Sequence, residues 1–191
     1  MTKIYFSKTN FHGQTAPPEI KKMQSEYCRQ IVSEAVCKEF ELKSDEIIFS
    51  ADPNGKPFLA DFPGIHFNIS HTTAAVAAAI SNKPIGIDIE LIKSDSDTKT
   101  LKIAKKMFLP HEVEYITERQ NETGKRFCEI WTRKEAYAKY LGTGIFVKNI
   151  MRFDVLNQSP DVEIDTLFVD RWVVSVCGEA VCNAEFVMLS I

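Results

Sequence analysis

The run Ile85-Gly86-Ile87-Asp88-Ile89-Glu90 is apolar at every second position until it ends in acid. Alternation of that period predicts a β-strand, and a strand turns Asp88 and Glu90 to one face. The strand is apolar enough to be buried, so its acidic end is abrupt. Gly86 removes a side chain where a ligand or another backbone can come close. A second stretch, Trp131-Thr132-Arg133-Lys134-Glu135-Ala136-Tyr137-Ala138-Lys139, reads as a helix. There Trp131, Glu135 and Lys139 recur at four-residue spacing and share a face. Taken singly, these are also what a solvated strand end and an ordinary i,i+4 ion pair look like. Brought together, the two faces converge three carboxylates with a lysine one turn away, which suits a hard divalent cation gripping a phosphate.

The rest of the chain supplies helices and short strands in separate groups. Strands are expected at Lys3–Ser7, Ile65–Ser70, Ala74–Ser81 and Ile85–Glu90, and one begins near Phe49. Helices are expected at Glu19–Phe40, about Lys99–Phe108, His111–Arg119 and Lys125–Leu141, the last stopped by Gly142-Thr143-Gly144. Phe11–Pro18 and Gln120–Gly124 read as loops, and Asp52-Pro53-Asn54-Gly55 as a turn. Ile92–Thr100 is polar and reads as a linker. Strand-like pieces follow at Met151–Leu156, Val162–Phe168, Trp172–Cys177 and Glu185–Ser190. Helices set apart from antiparallel strands make the fold class α+β. The order of helical material followed by strands recurs faintly in the two halves.

Composition narrows the partners. A formal charge of −3 argues against nucleic acid, whose binders carry a basic stripe. The five cysteines, Cys28, Cys37, Cys128, Cys177 and Cys182, are odd in number and include no CxxC pair, which disfavours a zinc site or a disulfide framework. Met1–Asn10 lacks the long apolar region of a signal peptide, and the apolar run Ala74–Ile80 is too short to span a bilayer. A soluble cytoplasmic protein is expected, with neither nucleic acid nor membrane as partner. No phosphate-loop, dinucleotide, zinc-protease or serine-hydrolase motif is present. Ser70-His71, at the end of Phe67-Asn68-Ile69, and Lys56, after the Asn54-Gly55 turn, are suited to donating to phosphate oxygens.

Taken in order, Asn54-Gly55-Lys56-Pro57, Phe67-Asn68-Ile69-Ser70-His71, Ile85-Gly86-Ile87-Asp88-Ile89-Glu90, Phe108 to Glu112 and Trp131 to Lys139 resemble the motifs of the 4'-phosphopantetheinyl transferases of the surfactin-synthetase-activating (Sfp) type. The resemblance implies two similar α+β halves related by a pseudo-twofold, residues 1–95 and 96–191, with the active site in the cleft between them. It implies transfer of the phosphopantetheine arm of coenzyme A to a serine of an acyl or peptidyl carrier protein, with Mg²⁺, releasing adenosine 3',5'-bisphosphate. By the same resemblance Asp88, Glu90 and Glu135 are the Mg²⁺ ligands. Lys56, Ser70 and His71 match positions that hold coenzyme A phosphates. Glu112 matches a further acidic position near the metal, and Lys139 matches the lysine beside the pyrophosphate. The carrier serine's proton then goes to Glu135 directly or to Glu112 through water, and Lys139 serves the leaving oxygen. Family members carry a basic residue in the first helix that reaches the adenosine 3'-phosphate; the candidates are Lys21, Lys22 and Arg29. Lys102, Lys105 and Lys106, flanked by Met107 and Phe108, would steer an acidic carrier. The two-half architecture allows a working monomer. The competing readings are a non-catalytic binder of coenzyme A or a carrier protein, and another Mg²⁺-dependent nucleotide phosphotransferase.

Overall fold

The computed structural model describes residues 2–9, 17–72, 74–95, 98–143, 150–157 and 161–189. A four-stranded sheet is built in the order β4 (His66–Thr72), β5 (Ala75–Ser81), β1 (Thr2–Lys8) and β9 (Glu185–Leu189), with only β1 and β9 parallel. A three-stranded antiparallel sheet runs β6 (Ile85–Leu91), β8 (Trp172–Gly178) and β7 (Glu163–Val169). A hairpin of β2 (Phe49–Ala51) and β3 (Pro57–Leu59) closes around the Asp52–Gly55 turn, where Gly55 adopts φ 84°. The helices are α1 (Pro17–Phe40), α2 (Thr98–Met107), α3 (Pro110–Thr117) and α4 (Thr123–Leu141). The class is α+β, as the sequence predicts.

Side-chain alternation stacks these elements into layers. Ile4 and Phe6 of β1, Ala75, Ala77 and Ala79 of β5, Ile85, Ile87 and Ile89 of β6, and Val174 and Val176 of β8 form a core between the two sheets. The other face of β5, Val76, Ala78 and Ile80, packs on Cys28, Ile31, Val32, Ala35 and Val36 of α1. Strand β5 is thus buried on both faces, which explains its unbroken small-apolar run. The outer face of the second sheet, Val173, Cys177 and Ile164, is covered by Phe127, Ile130 and Ala136 of α4, with Phe108 and Ile116 beneath.

Strand β6 pairs with β8 in the second sheet, and β9 returns to the first. The change of sheet falls between Ser81 and Ile85, where Pro84 has no N–H to continue a ladder beside β5. One expectation is corrected: Met151–Leu156 is not a strand. It opens with a 3₁₀ turn, Ile150–Arg152, and continues irregularly. Its backbone bonds go to side chains of α3 and α4 rather than to a neighbouring strand. The Lys134 ammonium donates to Met151 O and Phe153 O, Arg133 donates to Val155 O, and Val155 N–H donates to Glu112. The expected loop at Phe11–Pro18 and the Gly144 end of the helix stop fall largely outside the described residues. No helix among the described residues is long and apolar enough to cross a membrane.

Candidate active site

Strand β4 ends the first sheet and β6 ends the second, and these two edges meet. Along β6 the period of two sends Ile85, Ile87 and Ile89 into the core and turns Gly86, Asp88 and Glu90 toward α4. Helix α4 lies directly on that face. A Cβ built on Gly86 would stand 2.1 Å from Ala136 O and 2.4 Å from Tyr140 N, so only glycine permits this approach. The turn of α4 that touches Gly86 therefore delivers Glu135 and Lys139 to the strand's acidic end.

The result is a cleft of about 340 Å³ lined by Ser70, His71, Asp88, Glu90, Glu135 and Lys139, with Ser25 and Trp131 at its walls. Lys139 Nζ donates to Asp88 Oδ1 at 2.7 Å and to Ser70 Oγ at 2.9 Å, and Ser70 Oγ donates to Asp88 Oδ1 at 2.8 Å. Glu90 is met by Lys93 at 3.3 Å. Glu135 receives no hydrogen bond among the described residues. Burial, followed by the charge of Asp88, pushes its carboxyl up to about 7, against the pull of Lys139. Burial also raises Glu90. It lowers His71, helped by Lys139 and Lys21, so the imidazole is biased toward its neutral form. A half-buried carboxylate lacking a donor, beside two further carboxylates, is a donor set of hard oxygens that fits Mg²⁺.

The structure brings Asp88, Glu90, Glu135, Lys139, Ser70 and His71 together and treats two other candidates differently. Glu112 is fully buried and lines none of the clefts described. It pairs with Lys134 at 2.8 Å and accepts the N–H groups of Leu109 and Val155. It therefore stands apart from the carboxylates that line the cleft. Lys56 lies in an adjoining cleft of about 280 Å³ that also includes Asn68, Glu135 and Lys139. Its ammonium caps the end of α4, donating to Lys139 O at 2.5 Å and Tyr140 O at 3.3 Å, and reaches Ile85 O at 3.4 Å. Among the first-helix candidates, Lys21 acts on His71, Arg29 stacks on Phe49, and Lys22 lies beside Glu26. Phe108 is packed against Phe127 and Trp131 rather than flanking the basic face of α2.

Among the described residues, the His/Cys/Asp/Glu group whose ligand atoms all lie within 4.8 Å is His111, Glu112 and Asp154. Its members already have partners there: Glu112 pairs with Lys134, and Asp154 meets His111 at 3.0 Å and accepts the amides of Leu156 and Asn157. Asp88, Glu90 and Glu135 stand farther apart. Mg²⁺ tolerates this, because it keeps several waters and needs only one or two carboxylates. Sequence reasoning gave Asn68 no role, although its side chain joins the two sheets through the Ile87 N–H. Lys134 was also missed. Its place inside an otherwise apolar helix face was the available signal.

The site is thus a carboxylate–lysine cleft at the seam of two sheets. Residues 84–181 match the family model of the 4'-phosphopantetheinyl transferase superfamily. This span covers half of the chain, and the protein belongs to that superfamily. It is 46% identical over 109 residues to the 4'-phosphopantetheinyl transferase gsp of Aneurinibacillus migulanus, covering 56% of this chain and 43% of that protein. It is 35% identical over 116 residues to the transferase Sfp of Bacillus subtilis, covering 60% and 50%. It is 37% identical over 105 residues to HetI of Nostoc, covering 52% and 44%. The chain spans about half the length of the curated relatives it matches.

Proposed function

We propose that this protein transfers the 4'-phosphopantetheine group of coenzyme A to a serine of an acyl or peptidyl carrier protein, releasing adenosine 3',5'-bisphosphate. The observation that carries the reading is the meeting of Asp88 and Glu90 on β6 with Glu135 and Lys139 on α4. Mg²⁺ held by Asp88, Glu90 and Glu135 would neutralise pyrophosphate charge. Of the two candidate bases, Glu135 lines the cleft and Glu112 does not, so the serine's proton goes to Glu135. Lys139 stabilises the charge on the leaving phosphate oxygen, and Ser70 and His71 bind phosphate oxygens. Lys56 contributes by holding the end of α4 in place. The two halves, residues 1–95 and 96–191, are related by an approximate twofold, and the cleft lies between them. The protein works in the cytoplasm.

The carrier docks on α2. Lys102, Lys105 and Lys106 are exposed along that helix, and Ile103, 38% exposed, takes the apolar place first expected of Phe108. Such a face steers an acidic partner.

The test is intact-protein mass spectrometry of an apo carrier protein incubated with this protein, coenzyme A and Mg²⁺. The carrier gains one phosphopantetheine group, and EDTA prevents it. No gain with fatty-acid and peptide carriers, despite coenzyme A binding, would reduce the protein to a binder.

A further inference from the structure

Asn68 lies on β4 two residues before Ser70 and so faces the same seam. It is 4% exposed. Its Oδ1 accepts the Ile87 N–H at 2.9 Å, at the open edge of β6. That bond fixes the amide orientation: a backbone N–H can meet only the carbonyl oxygen, so the amino group points the other way. Among the described residues Nδ2 has no hydrogen-bond partner. It is not sealed in apolar surroundings either, because the buried side-chain polar atom without a partner is Thr9 Oγ1. Asn68 lines the 280 Å³ cleft with Glu135 and Lys139. A nearly buried amide thus keeps unpartnered donors on a residue that lines the same cleft as Lys139. Donors of this kind call for an acceptor, and the neighbouring cation selects an anionic one.

We propose that Asn68 is a substrate-binding residue with two faces. Its carbonyl oxygen joins β6 to β4, which sets Asp88 opposite Ser70. Its amino group donates to a phosphoryl oxygen of coenzyme A beside Lys139. The assignment rests on the transferase reading above, and it goes beyond it by giving a role to a side chain that is neither a metal ligand nor charged.

Asn68→Asp separates the two faces. One carboxylate oxygen still accepts the Ile87 N–H, while the other meets the ligand with no proton to give. Calorimetric titration of coenzyme A in the presence of Mg²⁺ is expected to show a dissociation constant raised about tenfold or more. The new carboxylate is nearly buried without a cation of its own, so the melting temperature falls, and the titration is made well below it, where the variant is folded. Unchanged affinity overturns the proposal. A second readout needs no variant: in wild-type protein the ¹⁵N side-chain amide pair of Asn68 shifts as coenzyme A is added. Its failure to move while the backbone around Lys139 does would also overturn the proposal. If wild-type protein binds no coenzyme A, the transferase reading fails first.

Discussion

Replacing Gly86 with alanine tests the close approach on which the candidate site depends. The new Cβ would meet Ala136 O at 2.1 Å, Tyr140 N at 2.4 Å and the Lys139 carbonyl carbon at 3.0 Å, all of them backbone atoms of α4. None can rotate away, so the last turns of the helix must retreat by roughly 1.3 Å to restore ordinary contact. Overpacking of this kind costs about 1–3 kcal/mol. The retreat carries Glu135 with it and stretches the 2.7 Å contact between Lys139 and Asp88. A misplacement near 1 Å costs about 10²-fold in rate. Urea denaturation measures the stability change, calorimetry the Mg²⁺ affinity, and carrier mass spectrometry the transfer rate. The reasoning requires that all three fall together. A Gly86→Ala protein with wild-type stability and a transfer rate within twofold would show that α4 does not depend on the glycine. A protein that loses stability yet keeps full Mg²⁺ affinity would show that the carboxylates are not placed by this contact.

The other expectations concern charge. Lys134→Met leaves the Glu112 carboxylate buried without its cation and is expected to cost about 3–5 kcal/mol in urea denaturation. Adding Glu112→Gln removes the charge while keeping an acceptor oxygen for one of the two N–H groups, Leu109 or Val155, that the carboxylate serves with its two oxygens, and should recover part of that loss; no recovery would mean that the buried charge is not its source. The Glu135 carboxyl, raised from 4.5 to about 7, holds a proton in the folded protein that the unfolded chain has released. Without divalent cation, its contribution is therefore fully present below pH 4.5 and is lost as pH rises through 7, so the melting temperature declines across that window. Glu135→Gln should flatten the decline, and an unchanged slope would assign it to other groups. Asp88→Ala and Glu135→Ala are each expected to abolish transfer to the carrier, and near-normal turnover in either would remove that residue from the metal site.

How much of this was legible depends on whether the deciding partner is near in sequence. The period of two in β6 and the four-residue spacing on α4 are local, and they correctly place Asp88, Glu90, Glu135 and Lys139 on facing surfaces. The run Ala75–Ser81 could have been helical on propensity; the turn at Asn82 and Pro84 limits its length, and burial on both faces makes it a strand. Met151, Phe153 and Val155 alternate as a strand would, yet their carbonyls find cations of α4 seventeen to twenty-two residues earlier in the chain.

Glu112 shows the same limit from the functional side. A glutamate at a helix start next to an acidic cleft reads as a possible base, and nothing local distinguishes it from one. What decides its chemistry is Lys134, which turns inward with no exposed surface and makes the carboxylate part of the scaffold. The fold then uses that buried pair to pin α3, α4 and the 150–157 segment together. The adjacent residue, Glu135, points to the cleft and has no such partner, so burial raises its proton affinity instead. Consecutive residues of one helix thus meet burial in opposite ways: Lys134 is paired within the protein, whereas Glu135 accepts no hydrogen bond among the described residues and binds its proton more tightly.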